Sequence, residues 1–176
     1  TSQTTNTISV TPTTTSVYTV MGSDANGCVS AKTKTVTVNA LPTLTVTGGI
    51  TMCAGQGTAL SVSGANTFTW STGQTASSIM VYPTVTTVYT VAAKTTSTGC
   101  TNVGSTTVTI QTPTVNIAGT FSVCQGGSST YTASGANTYT WSSSSIMPVY
   151  SSTAVLYPNG SVYTLVGKDG LGCTKS

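Results

Sequence analysis

Cys28, Cys53, Cys100, Cys124 and Cys173 are the residues of this 176-residue sequence with reactive chemistry to offer. Thiols can bond to one another, hold a metal or attack a substrate, and the surrounding residue types decide which. Two acidic residues, Asp24 and Asp169, accompany five lysines, with no Glu, Arg or His. General acid–base catalysis, metal hydrolysis and nucleophile dyads need titratable partners within hydrogen-bond reach of one another. Those partners are missing, so the sequence does not read as an enzyme and no cofactor is expected. A zinc site would need close Cys pairs or His. A calcium site would need several carboxylates per ion, and the two Asp stand far apart in the chain. Disulfide formation is what remains, and it implies an oxidising, extracellular setting.

The elements that must position these thiols recur along the chain. Ser63 to Ser71, Ser-Gly-Ala-Asn-Thr-Phe-Thr-Trp-Ser, returns as Ser134 to Ser142, with Tyr in place of Phe. Pro113 minus Pro42, Cys124 minus Cys53 and Trp141 minus Trp70 are all 71, as are Pro83 minus Pro12 and Tyr89 minus Tyr18. Thr1 to Thr4 aligns in the same way with Thr72 to Thr75. The expected organisation is the second half of one unit over 1–39, a complete unit over 40–111, and a third over 112–176 that lacks its last strand. This is the pattern of an excerpt from a longer tandem array. The third unit departs from the register, with Ser142 to Ser145 replacing Ser-Thr-Gly-Gln and about four residues added before Pro158.

Thr makes up about a quarter of the chain, beside Ser, Gly, Asn and Val, a composition of strands and tight turns. Alternation predicts strands near 43–47, 58–63, 67–71, 78–82, 86–94 and 105–110 in the middle unit, separated by Gly, Asn, Ser and Pro clusters. No helix is expected. Apolar residues two apart give each strand one face toward a shared core, so each unit reads as a small β-sandwich. Trp70 and Trp141, one per unit, are its expected core anchors. Pro12, Pro83 and Pro158 each lead into a strand carrying Tyr18, Tyr89 or Tyr163. That arrangement looks like a tyrosine corner, whose hydroxyl bonds back to the crossover backbone, and makes the three tyrosines structural anchors.

A unit of this size buries a modest fraction of its surface, so a covalent staple would matter. Cys53 and Cys100 lie early and late in the middle unit, and Cys124 and Cys173 repeat the arrangement at spacings of 47 and 49. One disulfide per unit is therefore expected, Cys53 with Cys100 and Cys124 with Cys173. Cys28, the counterpart of Cys100, is left without a partner. Closing such a loop is worth about 4 kcal/mol in the chain-entropy picture.

Cys-x-Gly at Cys53 and Cys124, the Ser-Gly-Ala-Asn-Thr-Tyr-Thr-Trp-Ser segment, the Pro-to-Tyr-Thr-Val segment and the Asp-x-Asn-Gly-Cys turn of Asp24 to Cys28 occur in fixed order. Together they resemble the immunoglobulin-like, PKD-like repeats of very large secreted surface proteins of Bacteroidota. The resemblance implies tandem all-β immunoglobulin-like sandwiches forming stalks or filaments of cell-surface adhesins and gliding-type proteins, exported by the type IX secretion system. The middle unit departs from the turn motif, with Thr95-Thr-Ser-Thr-Gly-Cys100 in place of the Asp-led turn.

The leading functional expectation is thus a structural one: an extracellular rod whose partners are neighbouring repeats and, in a fibre, other copies. A glycan-binding module is the alternative, with Tyr82, Tyr150, Tyr157 and Trp141 as stacking platforms. Ice binding is a third reading, from Thr-x-Thr arrays such as Thr33 to Thr37 and Thr107 to Thr109. The net charge of +3 is small and the lysines are scattered, which argues against a nucleic-acid partner. No run approaches the roughly 18 apolar residues of a membrane span. Asn159-Gly-Ser161 is a lone glycosylation sequon.

Overall fold

The computed structural model describes residues 5–143, 146–157 and 162–176, with backbone alone at 146 and 147. Thr1 to Thr4, Pro158 and the sequon at 159–161 lie outside the described residues. Every regular element is a strand. β1 (Ser16–Ser23) and β2 (Val29–Val36) form an antiparallel ribbon running from Ser16↔Val36 to Ser23↔Val29.

Seven strands follow: β3 (Thr45–Thr47), β4 (Thr51–Cys53), β5 (Thr58–Ser63), β6 (Thr67–Trp70), β7 (Ser78–Val81), β8 (Thr87–Lys94) and β9 (Thr101–Gln111). They make a three-stranded sheet, β3-β5-β7, and a four-stranded sheet, β4-β9-β8-β6. The alternation seen in the sequence fixes which side chains meet. Leu60 and Val62 of β5 with Ile79 and Val81 of β7 form one wall of a single core, and Trp70, Tyr89, Val91 and Val108 form the other. The outward face of β9 and β8 pairs Thr107 with Val88, Ser105 with Thr90 and Val103 with Ala92. Exposed Val88 and Val103 interrupt the threonine row there, so this face is not the regular Thr array on which ice binding would draw.

β4 is the strand that alternation does not reveal. It has three residues, lies between glycine pairs and runs parallel to β9, with Cys53 opposite Gln111. The chain changes sheets just before it, at Gly48 with φ 100°. A Cβ on the next residue, Gly49, would sit 2.4 Å from Thr106 Oγ1 and 2.8 Å from the Thr107 carbonyl oxygen. Only glycine lets the crossing chain lie this close to β9, and Met52 then drops into the core.

The third set is β10 (Asn116–Gly119), β11 (Ser129–Ser134), β12 (Thr138–Ser143), β13 (Ile146–Val149), β14 (Thr153–Leu156), β15 (Thr164–Lys168) and β16 (Thr174–Lys175). Its sheets are β10-β11-β14 and β13-β12-β15-β16. Trp141, Tyr139, Leu156 and Leu165 centre the second core. The bond from Val62 N–H to the Ser77 carbonyl recurs from Ala133 N–H to Ser152, a shift of 75 rather than 71 on the acceptor side. The four additional residues therefore precede Ser152, and β13, which pairs with the edge of β12, accommodates them.

Both indoles are 2% exposed. A buried N–H needs an acceptor. Trp70 Nε1 donates to the Ala76 carbonyl at 2.9 Å and Trp141 Nε1 to the Ser151 carbonyl at 3.0 Å, so each ring also ties down the segment leading to β7 or β14.

Candidate functional site

Each sandwich-like set of strands has two ends. The near end, where the chain arrives, carries the hairpin turn between the last two long strands. The Asn102 side chain donates to the Pro42 carbonyl there at 2.9 Å, and Cys100 Sγ lies 3.9 Å from the Asn39 carbonyl oxygen. The far end, where the chain leaves, carries Cys53 beside Gln111. β9 separates the two ends. Its 11 residues span roughly 36 Å at about 3.3 Å per residue.

The expected Cys53–Cys100 and Cys124–Cys173 pairs are therefore corrected. Cys53 is bonded to Cys173, with S–S 2.07 Å, Cα–Cα 5.2 Å and a sequence separation of 120. Cys28, Cys100 and Cys124 are free thiols, Cys28 and Cys124 exposed and Cys100 half-buried. Repeated order in each unit identifies counterpart cysteines but not partners. Cα atoms more than about 7 Å apart cannot be bridged, and the length of β9 stands between Cys53 and Cys100. Cys173, in the near-end turn of the third set, instead meets the far end of the middle one. The cystine crosses a junction rather than stapling one core.

The turn presenting Cys173 is built for the purpose. Asp169 Oδ1 accepts N–H groups from Leu171 and Cys173, both at 2.9 Å, and the Asp169 N–H donates to the Cys173 carbonyl. Asp24 Oδ1 accepts from Asn26 and Cys28 in the same way. In the middle turn Thr95 keeps the backbone bonds, its N–H to the Cys100 carbonyl and Gly99 N–H to its own carbonyl, without a carboxylate. One added residue and the Thr98 hydroxyl, which accepts from Cys100 N–H at 3.4 Å, compensate. Asp169 Oδ2 is buried without a partner among the described residues, which fits a carboxylate held for what Oδ1 does. Charge-assisted bonds of this kind lead us to expect Asp169→Ala to cost about 1–2 kcal/mol in chemical denaturation. Asp169→Asn, which keeps the Oδ1 acceptor, should retain most of that.

The three free cysteines give a second expected result. Under native conditions a thiol reagent should count three groups, with Cys28 and Cys124 reacting quickly and half-buried Cys100 slowly. The unit-by-unit pairing would leave Cys28 alone to react.

Tyr89 is buried, whereas Tyr18 and Tyr163 are half-buried. Tyr163 Oη donates to the Tyr157 carbonyl at 2.8 Å, a bond of the tyrosine-corner kind. Among the aromatic residues considered as sugar platforms, Trp141 is withdrawn into the core and its face is unavailable. Tyr82 is exposed and lies against Gly57. Tyr150, 79% exposed, lines an open groove of about 500 Å³ with Asn137, Thr138, Thr140, Ser151 and Ser152. Tyr157 is exposed as well but follows β14 in the opposite sheet, so the two tyrosines do not share that groove.

No helix among the described residues is long and apolar enough to cross a membrane. A disulfide of this kind belongs to an oxidising, non-cytosolic environment. No protein-family model matches the sequence, and no curated protein matches it.

Proposed function

We propose that this chain is a load-bearing spacer, a segment of an extracellular stalk or filament of a large cell-surface protein built from tandem immunoglobulin-like units. The observation that carries the reading is the Cys53–Cys173 bond. A covalent link across a junction limits bending and separation of neighbours, which is what a rod requires and a catalyst does not. The strand orders β3-β5-β7 and β4-β9-β8-β6 support the immunoglobulin-like assignment, because they follow the two-sheet Greek-key arrangement of that fold. Two acidic and five basic residues leave a nearly uncharged, Thr-coated surface with little to attract a charged ligand. Small-angle scattering of the oxidised chain tests the reading. An elongated monomer at micromolar concentration is the expected result, and a compact particle would defeat it.

A glycan-binding module is the second reading, favoured by the Tyr150 groove with its amide and hydroxyl lining. Binding on a glycan array that disappears in Tyr150→Ala would establish it.

A further inference from the structure

Cys53 and Cys173 are not counterparts in the 71-residue register; Cys53 corresponds to Cys124, and Cys173 corresponds to Cys100. The observed bond thus joins the early cysteine of one unit, at its far end, to the late cysteine of the next, at its near end. Cys124 is an early cysteine. It precedes β11, whose other end reaches the near-end turn at Gly135, packed on Thr114. Cys100 is a late cysteine, and its sulfur lies against the segment arriving at Asn39. Both are free thiols.

We propose that Cys100 and Cys124 are the two half-sites of this same junction bond, each made for a further unit of this kind. Cys100 takes the early cysteine of a unit stacked before the middle one, and Cys124 takes the late cysteine of a unit stacked after the third. The inference rests on the tandem-unit reading above and adds a bonding rule to it. The contact is head-to-tail, and repeated without a rotation that closes a ring it propagates as an open rod. Each bond forms by exchange with a small disulfide such as oxidised glutathione. One cysteine thiolate attacks it to give a mixed disulfide and one reduced glutathione. The second thiolate then displaces the other glutathione, so two thiols lose two protons and two electrons to the oxidant. In such a ladder the bonds bypass most of the polypeptide. The backbone left in the covalent path is the stretch from Cys100 to Cys124, which contains β9, the longest strand.

The test inserts a second copy of residues 40–111 directly after Gln111 in the full chain, oxidised in a glutathione buffer. Trypsin cuts after Lys34, Lys94 and Lys168, which puts Cys53 of the first copy and Cys173 on peptides of their own. Cys100 of the first copy shares a peptide with Cys53 of the second, and Cys100 of the second copy shares one with Cys124, so fragmentation within those two peptides assigns the linked sulfur. The proposal expects two links, Cys53 of the first copy to Cys100 of the second, and Cys53 of the second copy to Cys173. Three thiols remain free: Cys28, Cys100 of the first copy and Cys124. Links within a copy, or a second-copy Cys100 that stays alkylatable beside an intact Cys53–Cys173 link, would overturn it. Should the longer chain lose that reference link, single-thiol versions of the original chain decide. Cys28→Ser/Cys100→Ser is mixed with Cys28→Ser/Cys124→Ser under the same buffer. A several-fold excess of the mixed Cys100–Cys124 dimer over symmetric dimers supports the rule, and a statistical mixture refutes it. Scattering of the same samples reads elongation separately, so an extended rod with the wrong links would remove the rule and leave the spacer reading standing.

Discussion

Pulled from its two ends, the oxidised chain is expected to yield no length from residues 54–172, and a reductant is expected to release roughly 400 Å of contour. The estimate follows from the bond itself. Cys53 and Cys173 are separated by 120 positions in sequence, the contour per extended residue is about 3.4 Å, and their Cα atoms stay 5.2 Å apart while the bond holds. All of β5 to β15 is thus hidden from an applied load. Cys53→Ser should behave in oxidising buffer as the parent does when reduced. Single-molecule force spectroscopy reads both, and equal extension with and without reductant would show that the bond does not span the junction. At equilibrium, closing a loop of this length is worth about 5 kcal/mol in the chain-entropy picture. That is comparable with the whole stability of a small domain, so loss of the bond should also lower the denaturation midpoint of the chain.

Trp70→Ala is expected to cost about 3–5 kcal/mol and to leave the middle core unfolded or nearly so. The indole is 2% exposed in a core with Leu60, Val62, Ile79, Val91 and Val108, and its removal leaves a void in that core. Its N–H bond to the Ala76 carbonyl is lost as well, which frees the segment leading into β7. Trp70→Phe fills most of the volume and gives up only that bond, so about 1–2 kcal/mol is expected for it. Because Trp141 is then the remaining indole, its fluorescence during denaturation reports the third core by itself. A midpoint for Trp141 that falls along with the middle core would measure how strongly the Cys53–Cys173 junction couples the two. A loss below about 1 kcal/mol for Trp70→Ala would deny the indole its central place.

The two predictions draw on different kinds of information. The tryptophans were legible locally: in Thr67-Phe-Thr-Trp70 the aromatic residues fall two apart, and a strand turns such residues to the same face wherever it lies. The same alternation predicted β5 at 58–63 and placed β6, β7 and β8 to within a residue at each end. The Asp24 to Cys28 turn was visible too, since its carboxylate reaches backbone groups only two and four residues away. β4 was not legible, because three residues among glycines show no period and its partner β9 lies about 58 residues on in sequence. Nor was the strand β13, whose pairing to the edge of β12 absorbs the four added residues of the third unit.

Repetition determined that Cys53 and Cys124 are equivalent, and likewise Cys100 and Cys173, while composition and alternation determined the all-strand architecture and the face on which each indole lies. Which early cysteine bonds to which late one was decided only in three dimensions. A periodic sequence is unchanged when its units are relabelled, whereas a disulfide demands two sulfurs in contact, and β9 holds the ends of one unit apart while the junction brings the ends of two units together.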